Sequence, residues 1–175
     1  MRGLRTALIA TAAVALVGGM TAGVASAATT GASGAGACQP GTLKVTTTDA
    51  GGTQAGMNHA GTYLTVKNTG KTGCSLSGYP GLALEGKGHT ALKTTARHGD
   101  TYFAKDPGAH KITLKPGQAA YADLVWTHTG ASTAHAKYLQ ISPTGSNAHS
   151  VISFDQEVDN GTLAVTAWSA KLPVS

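Results

Sequence analysis

Cysteine is scarce in this chain: Cys38 and Cys74 are the only two among 175 residues. With two thiols and no C-x-x-C pair, a cysteine-built zinc site is excluded, because such sites draw three or four ligands from close-spaced pairs. Charge is also thin, at 12% of residues. The sole glutamates are Glu85 and Glu157, and Arg97 is the only arginine after Arg2 and Arg5. No basic cluster is present to track a phosphate backbone, so no nucleic-acid partner is expected. No apolar run reaches the roughly 20 residues that a spanning helix needs. Three catalytic signatures are missing as well. There is no G-x-S-x-G elbow and no H-E-x-x-H, and Gly86-Lys87-Gly88 lacks the glycine-rich lead of a phosphate loop.

What is present begins with a leader. Arg2 and Arg5 precede an apolar run from Ala7 to Met20, and Ala25-Ser26-Ala27 supplies the small-x-small pattern of a cleavage site. Residues 1–27 read as a signal peptide. Residues 28–37, rich in alanine, glycine, serine and threonine, read as a flexible linker. Residues 38–175 are expected to form a single domain, secreted to the extracellular space or loosely associated with the envelope. Loss of Arg2 and Arg5 lowers the formal charge from +5 to +3. The mature chain is expected to carry no transmembrane segment.

Beyond Cys38 the pattern is one of short β-prone runs broken by turn residues. Leu43–Thr46, Tyr63–Lys67, Leu82–Leu84, Ala91–Lys93, Lys111–Lys115, Ala120–Trp126, Tyr138–Ile141, Val151–Phe154 and Leu163–Trp168 are the candidate strands. Ala120, Ala122, Leu124 and Trp126 alternate onto one face. Pro116-Gly117 and Asn160-Gly161 mark turns. With no amphipathic helix between them, eight or nine short strands predict an all-β fold: an immunoglobulin-like, two-sheet antiparallel β-sandwich. Trp126 and Trp168 fit half-buried or core positions in which each indole nitrogen finds an acceptor. The alternative is a surface row of aromatics that stacks on sugar rings.

The densest segment is NTGKTGCSLSGYPGLAL, residues 68 to 84. In an exported chain two cysteines most simply pair with each other, which predicts a Cys38–Cys74 disulfide rather than a reactive thiol. The residues around it read as structural turns. Gly70 permits a sharp bend, Asn68 caps it through its side chain, and Pro80 drives Tyr79 toward extended geometry ahead of Gly81.

Cys38, Asn68-Thr69-Gly70, Cys74-Ser75-Leu76, Gly78-Tyr79-Pro80-Gly81 and Leu114-Lys115-Pro116-Gly117 together resemble the DUF4232 family, an actinobacterial secreted domain of unknown function. The resemblance covers residues 38 to 170, and its C-x-L-x-G-Y-P-G core is its most specific part. It implies an exported or envelope-attached β-sandwich from high-GC Gram-positive bacteria and brings no catalytic residues. Many members have a second cysteine pair in the C-terminal half, which this chain lacks.

The remaining chemistry is unspecific. Seven histidines are scattered without metal-ligand spacing, so no metal and no cofactor is expected. Asp155, Glu157 and Asp159 occupy alternate positions that would put three carboxylates on one face, but their spacing misses the EF-hand loop and reads as a charged turn. No carboxylate pair stands out for glycoside hydrolysis. The reading is an exported, non-catalytic β-sandwich that binds a secreted or cell-envelope partner, either a protein or a cell-wall polymer. A secreted hydrolase inhibitor is the alternative. It would present the polar stretch Thr94–Lys105, whose candidate surface residues are Arg97, His98, Asp100 and Tyr102. A small extracellular enzyme built on carboxylates or histidines is the third reading.

Overall fold

The computed structural model describes residues 35–49, 53–142 and 148–174. The leader and most of the linker lie outside the described residues. Within them, no helix is long and apolar enough to cross a membrane.

The fold is all-β. Eleven strands are described: β1 (Leu43–Thr48), β2 (Gln54–Gly56), β3 (His59–Asn68), β4 (Cys74–Ser77), β5 (Gly81–Glu85), β6 (Thr95–His98), β7 (Lys111–Leu114), β8 (Ala119–Thr127), β9 (Thr133–Ser142), β10 (Ser150–Asp159) and β11 (Thr162–Val165). A six-stranded sheet runs β1-β3-β8-β11-β6, with β2 also paired to β3. A three-stranded sheet runs β10-β9-β5, and β4 pairs with β7.

The expectation of eight or nine strands in two antiparallel sheets is corrected on three counts. Strands β2, β4 and β6 carry too few apolar residues to announce themselves. Ala91–Lys93 forms a single bridge, Glu85 to Ala91, instead of a strand. The β6–β11 pair is parallel, which requires a long crossover that no local signal encodes.

Alternation explains the core. Leu64 and Val66 of β3, Ala120, Ala122, Leu124 and Trp126 of β8, and Leu163 and Val165 of β11 turn to one side of the large sheet. They form one apolar cluster with Leu84, Leu139, Ile141, Phe154 and Val158 of the three-stranded sheet. Trp168 is fully buried in the same cluster, and Trp126 meets Phe154 edge-on. Both indoles therefore belong to the core and not to a stacking row. Neither Nε1 has a hydrogen-bond partner among the described residues, which corrects the expected acceptors.

The junction of the sheets is held by the dense segment. Cys38 and Cys74 are disulfide-bonded, and Ser75 N–H donates to the Gly36 carbonyl while Cys38 N–H donates to Ser75. Asn68, 1% exposed, is saturated. Its Nδ2 donates to the carbonyls of Thr72 and Leu114 at 2.9 and 3.0 Å, and its Oδ1 accepts from Gly70 N–H at 2.9 Å. Its backbone exchanges bonds with Gly117 and Gln118. Thus the end of β3, the 69–73 turn, β7 and the Pro116-Gly117 turn meet on one residue. Gln118 N–H donates to the Lys115 carbonyl across that turn, and Gly117 has φ 80°.

Asn160 and Gly161 have φ 51° and 65° and swing the chain from β10 into the other sheet. A Cβ on Gly161 would stand 1.9 Å from the Lys93 carbonyl oxygen. The turn therefore needs glycine for space as well as for backbone angle.

Two stability outcomes are expected. Replacing both cysteines with serine should cost up to about 4 kcal/mol, because the bond closes a loop with sequence separation 36. Urea denaturation of the two proteins measures this, and equal midpoints would show that the bond contributes nothing. Gly161→Ala should cost roughly 2–4 kcal/mol from strain and backbone displacement. A melting temperature within a degree of wild type would contradict the tight crossing.

Candidate functional site

The outer face of the six-stranded, largely antiparallel sheet is dry at its centre. Tyr63, Asp123 and Val125 point away from the main core yet are buried. Their cover is the connection from Gly99 to His110, which folds back over the face. Asp123 is the anchor. Its Oδ1 accepts from Gln54 Nε2 at 2.7 Å, and its Oδ2 accepts a short bond from the Thr101 hydroxyl. Its own N–H is held by Thr166 Oγ1 at 2.9 Å. Thr101 Oγ1 in turn accepts from Ala104 N–H at 2.9 Å, so one side chain ties the bend to the sheet. Burial pushes the Asp123 carboxyl up from its ordinary range, against the opposing pull of its Thr101 and Gln54 bonds. Burial, and then the nearby Asp123 charge, push the Tyr63 hydroxyl up as well. Gly61 opens the room: a Cβ there would lie 2.6 Å from Gln54 Oε1 and 3.1 Å from the Phe103 ring.

Two further aspartates fix the same connection. Asp100 Oδ1 accepts from Asp106 N–H at 2.8 Å and its Oδ2 pairs with Lys105 Nζ at 2.7 Å. These bonds, the backbone one first, hold the Asp100 carboxyl below its usual value. Asp106 accepts from Ala167 N–H at 2.8 Å and from the Tyr79 hydroxyl at 2.5 Å. That second bond raises the Tyr79 hydroxyl.

Beside this covered patch lies an open groove of about 380 Å³. Arg97, Asp100, Tyr102, His59, Val125 and Asn160 are among the residues that line it. Tyr102 stacks on His59 with ring centres 4.1 Å apart and planes 9° apart. His59 Nδ1 faces the Met57 carbonyl at 2.9 Å and so carries the hydrogen, leaving Nε2 free of that bond. Among the described residues Arg97 has no ion-pair partner. The groove's acids are engaged elsewhere: Asp100 as above, and Asp159 with Gly130 N–H at 2.7 Å. The groove therefore presents a guanidinium that makes no direct ion pair beside an exposed aromatic stack.

Of the four candidate loop residues, Arg97, Asp100 and Tyr102 come together here. His98 does not. It turns to the opposite face and stacks on Tyr79, centres 4.4 Å apart. The stretch from Thr94 is also no free loop, since Arg97 and His98 lie in β6. Among the turn residues, Gly78 has φ 72° and accepts from Trp168 N–H at 2.9 Å, while Pro80 is buried and Gly81 starts β5. Sequence reasoning passed over His59 and Asp123. A lone acid between apolar neighbours in Tyr121-Ala122-Asp123-Leu124-Val125 was the available signal for the latter.

The carboxylates near the C-terminus divide. Asp155 and Glu157 flank His135, at 3.1 and 2.9 Å from its two ring nitrogens, with Lys137 Nζ 2.7 Å from Asp155. Lys137 first and His135 second lower the Asp155 carboxyl. Asp159 instead accepts from Gly130 N–H, so the three acids do not converge on one partner. The segment is not a turn either, because it continues β10 past a bulge at Asp155, φ 55°. Glu85 is a separate site, bonded to His89 at 2.6 Å and to Gln140. Those bonds, His89 first, lower its carboxyl. No group of three or more His, Cys, Asp or Glu among the described residues is arranged to hold a metal ion.

The fold is a small β-domain with an open groove beside β6. The family model described as "Domain of unknown function (DUF4232)" matches residues 38–169. The chain belongs to the DUF4232 family. No curated protein and no solved structure matches it significantly.

Because its folded value is raised, Asp123 contributes most to stability below the unfolded carboxylate range of about 4, and that contribution is lost as pH rises through the folded value. Asp123→Asn should remove this dependence. The stability difference, wild type minus variant, is expected to fall as pH is raised above about 4 and then level off. Urea midpoints between pH 3 and 8 on the order of one-unit steps would measure it. A difference that stays flat with pH would mean that the carboxyl is not desolvated.

Proposed function

We propose that this protein is an exported, non-catalytic β-domain that binds a secreted or cell-envelope partner through the groove beside β6. The observation that carries the reading is the groove itself. A guanidinium without a counter-ion and a half-exposed His59–Tyr102 stack sit together on a rigid sheet, which is the composition of a binding patch. Tyr102 is 49% exposed although it is large and aromatic. We read the two larger sheets as the layers of an immunoglobulin-like sandwich, elaborated by the β4–β7 ribbon. Their shared apolar cluster supports that view. The leader, Arg2 to Ala27, supports export, and the single disulfide fits an oxidising compartment.

The inhibitor reading has less support. A protease-directed loop stands proud of its scaffold, whereas the middle of Thr94–Lys105 is tied down through Thr101 to Asp123. Catalysis has no supporting observation in the groove, where both acids are already spent on local bonds.

The test is capture of partners from culture supernatant and from an envelope extract by immobilised wild-type protein, compared with an Arg97→Ala, Tyr102→Ala double variant. The variant should lose at least about tenfold in retained partner, since aromatic and arginine anchors dominate interface energies. Equal retention by both proteins would rule out the groove as the binding surface.

A further inference from the structure

The six-stranded sheet ends at β6, which has a neighbour, β11, on one side only. Thr95 N–H donates to Gly161 and Gly99 N–H to Val165, so the odd-numbered residues of this strand face β11. By strand alternation, Ala96 and His98 direct their N–H and C=O groups to the outer edge. All four residues of β6 are exposed, and β6 has no bulge and no proline.

Both edges of the three-stranded sheet are protected. β10 is bulged at Asp155 and lined by Asp155, Glu157 and Lys137 contacts, the devices that keep edges from pairing. β5 is flanked by its own chain, through Leu92 N–H to the Leu84 carbonyl and the Glu85–Ala91 bridge. β6 carries a single charge, Arg97. That charge sits on the groove face, so it does not block the edge, and its guanidinium has no partner among the described residues.

Resting on the binding reading above, we infer that β6 is a docking strand: an extended peptide segment of a partner protein adds to its free edge, with an acidic side chain turned into the groove toward Arg97. Main-chain bonds to Ala96 and His98 supply the affinity, and Arg97 with the His59–Tyr102 stack supplies the choice of side chain. A second copy of this chain fits poorly. Pairing β6 with itself would bring two Arg97 guanidinium groups together with no acid within Thr95–His98 to offset them, and like charges across adjacent strands destabilise the pairing.

The probes are fluorescein-labelled octapeptides of alternating valine and threonine, one with a central aspartate and one with lysine in its place, added to isotope-labelled protein. The aspartate peptide should raise anisotropy and shift the amide signals of Ala96 and His98, and it should bind more tightly than the lysine peptide. Arg97→Ala should weaken the aspartate peptide by roughly two- to fivefold and erase the preference, the size of one exposed cross-strand charge pair. Ala96→Pro removes an outward donor while leaving the β11 ladder intact, and it should abolish binding with an unchanged thermal transition.

A control on the ligand avoids any doubt about folding. Methylating every second peptide nitrogen should abolish binding in one phase and spare it in the other. Binding spared in both phases would overturn the docking strand, as would absence of binding to wild type. Concentration-dependent dimers that Ala96→Pro dissolves would overturn it in favour of self-pairing. Partner capture that survives Ala96→Pro but not the Arg97→Ala, Tyr102→Ala double variant would reject the edge and keep the groove. Capture that survives both would reject the groove as well.

Discussion

A carboxylate taken out of water must be met by donors, and that requirement organises the groove side of this protein. Asp123 is fully buried in the central strand of the large sheet, where its two oxygens demand partners that the strand cannot supply. Gln54 comes from β2 on one side and Thr101 from the covering connection on the other. Satisfying one side chain thus sets both the short β2 hairpin and the bend at Thr101. Tyr102 follows directly after Thr101 and is delivered to His59 at stacking distance. The groove wall is a by-product of solvating a buried charge with protein.

The structural half depends on a neutral amide in the same way. Asn68 uses both Nδ2 hydrogens and Oδ1 on three backbone groups, two in the 69–73 turn and one in β7. The disulfide pins Cys38 to the start of β4 nearby. The amide fixes direction and the covalent bond limits how far the unfolded chain can spread. Between them they set the β4–β7 ribbon beside the large sheet, where Leu76, Ile112 and Leu114 join the apolar core.

Much of the core was legible because alternation writes it directly. Ala120, Ala122, Leu124 and Trp126 face inward as their period of two requires, and Leu64 with Val66 follow suit. The disulfide was legible from cysteine number. Strands β2 and β6 were not, because Gln54-Ala55-Gly56 and Thr95-Ala96-Arg97-His98 have no apolar period and owe their conformation to β3 and β11. The site was half legible. Arg97, Asp100 and Tyr102 are close in sequence and meet in the groove, but His59 reaches it from β3 through a pairing with Thr127 that sequence proximity cannot reveal. Asp155 and Glu157 meet on His135 while Asp159 is taken by Gly130 N–H, partners that sequence spacing does not reveal.

Strand β11 lies between β8 and β6, so the last strand of the chain completes the middle of the sheet and not its rim. Until it arrives, β6 has no neighbour, and the residues of the groove are not yet gathered. Contacts between segments so far apart in sequence carry a large loop-closure cost and form late. A chain whose strand β11 has not yet docked therefore has no finished groove. Assembly of the groove reports completion of the whole domain.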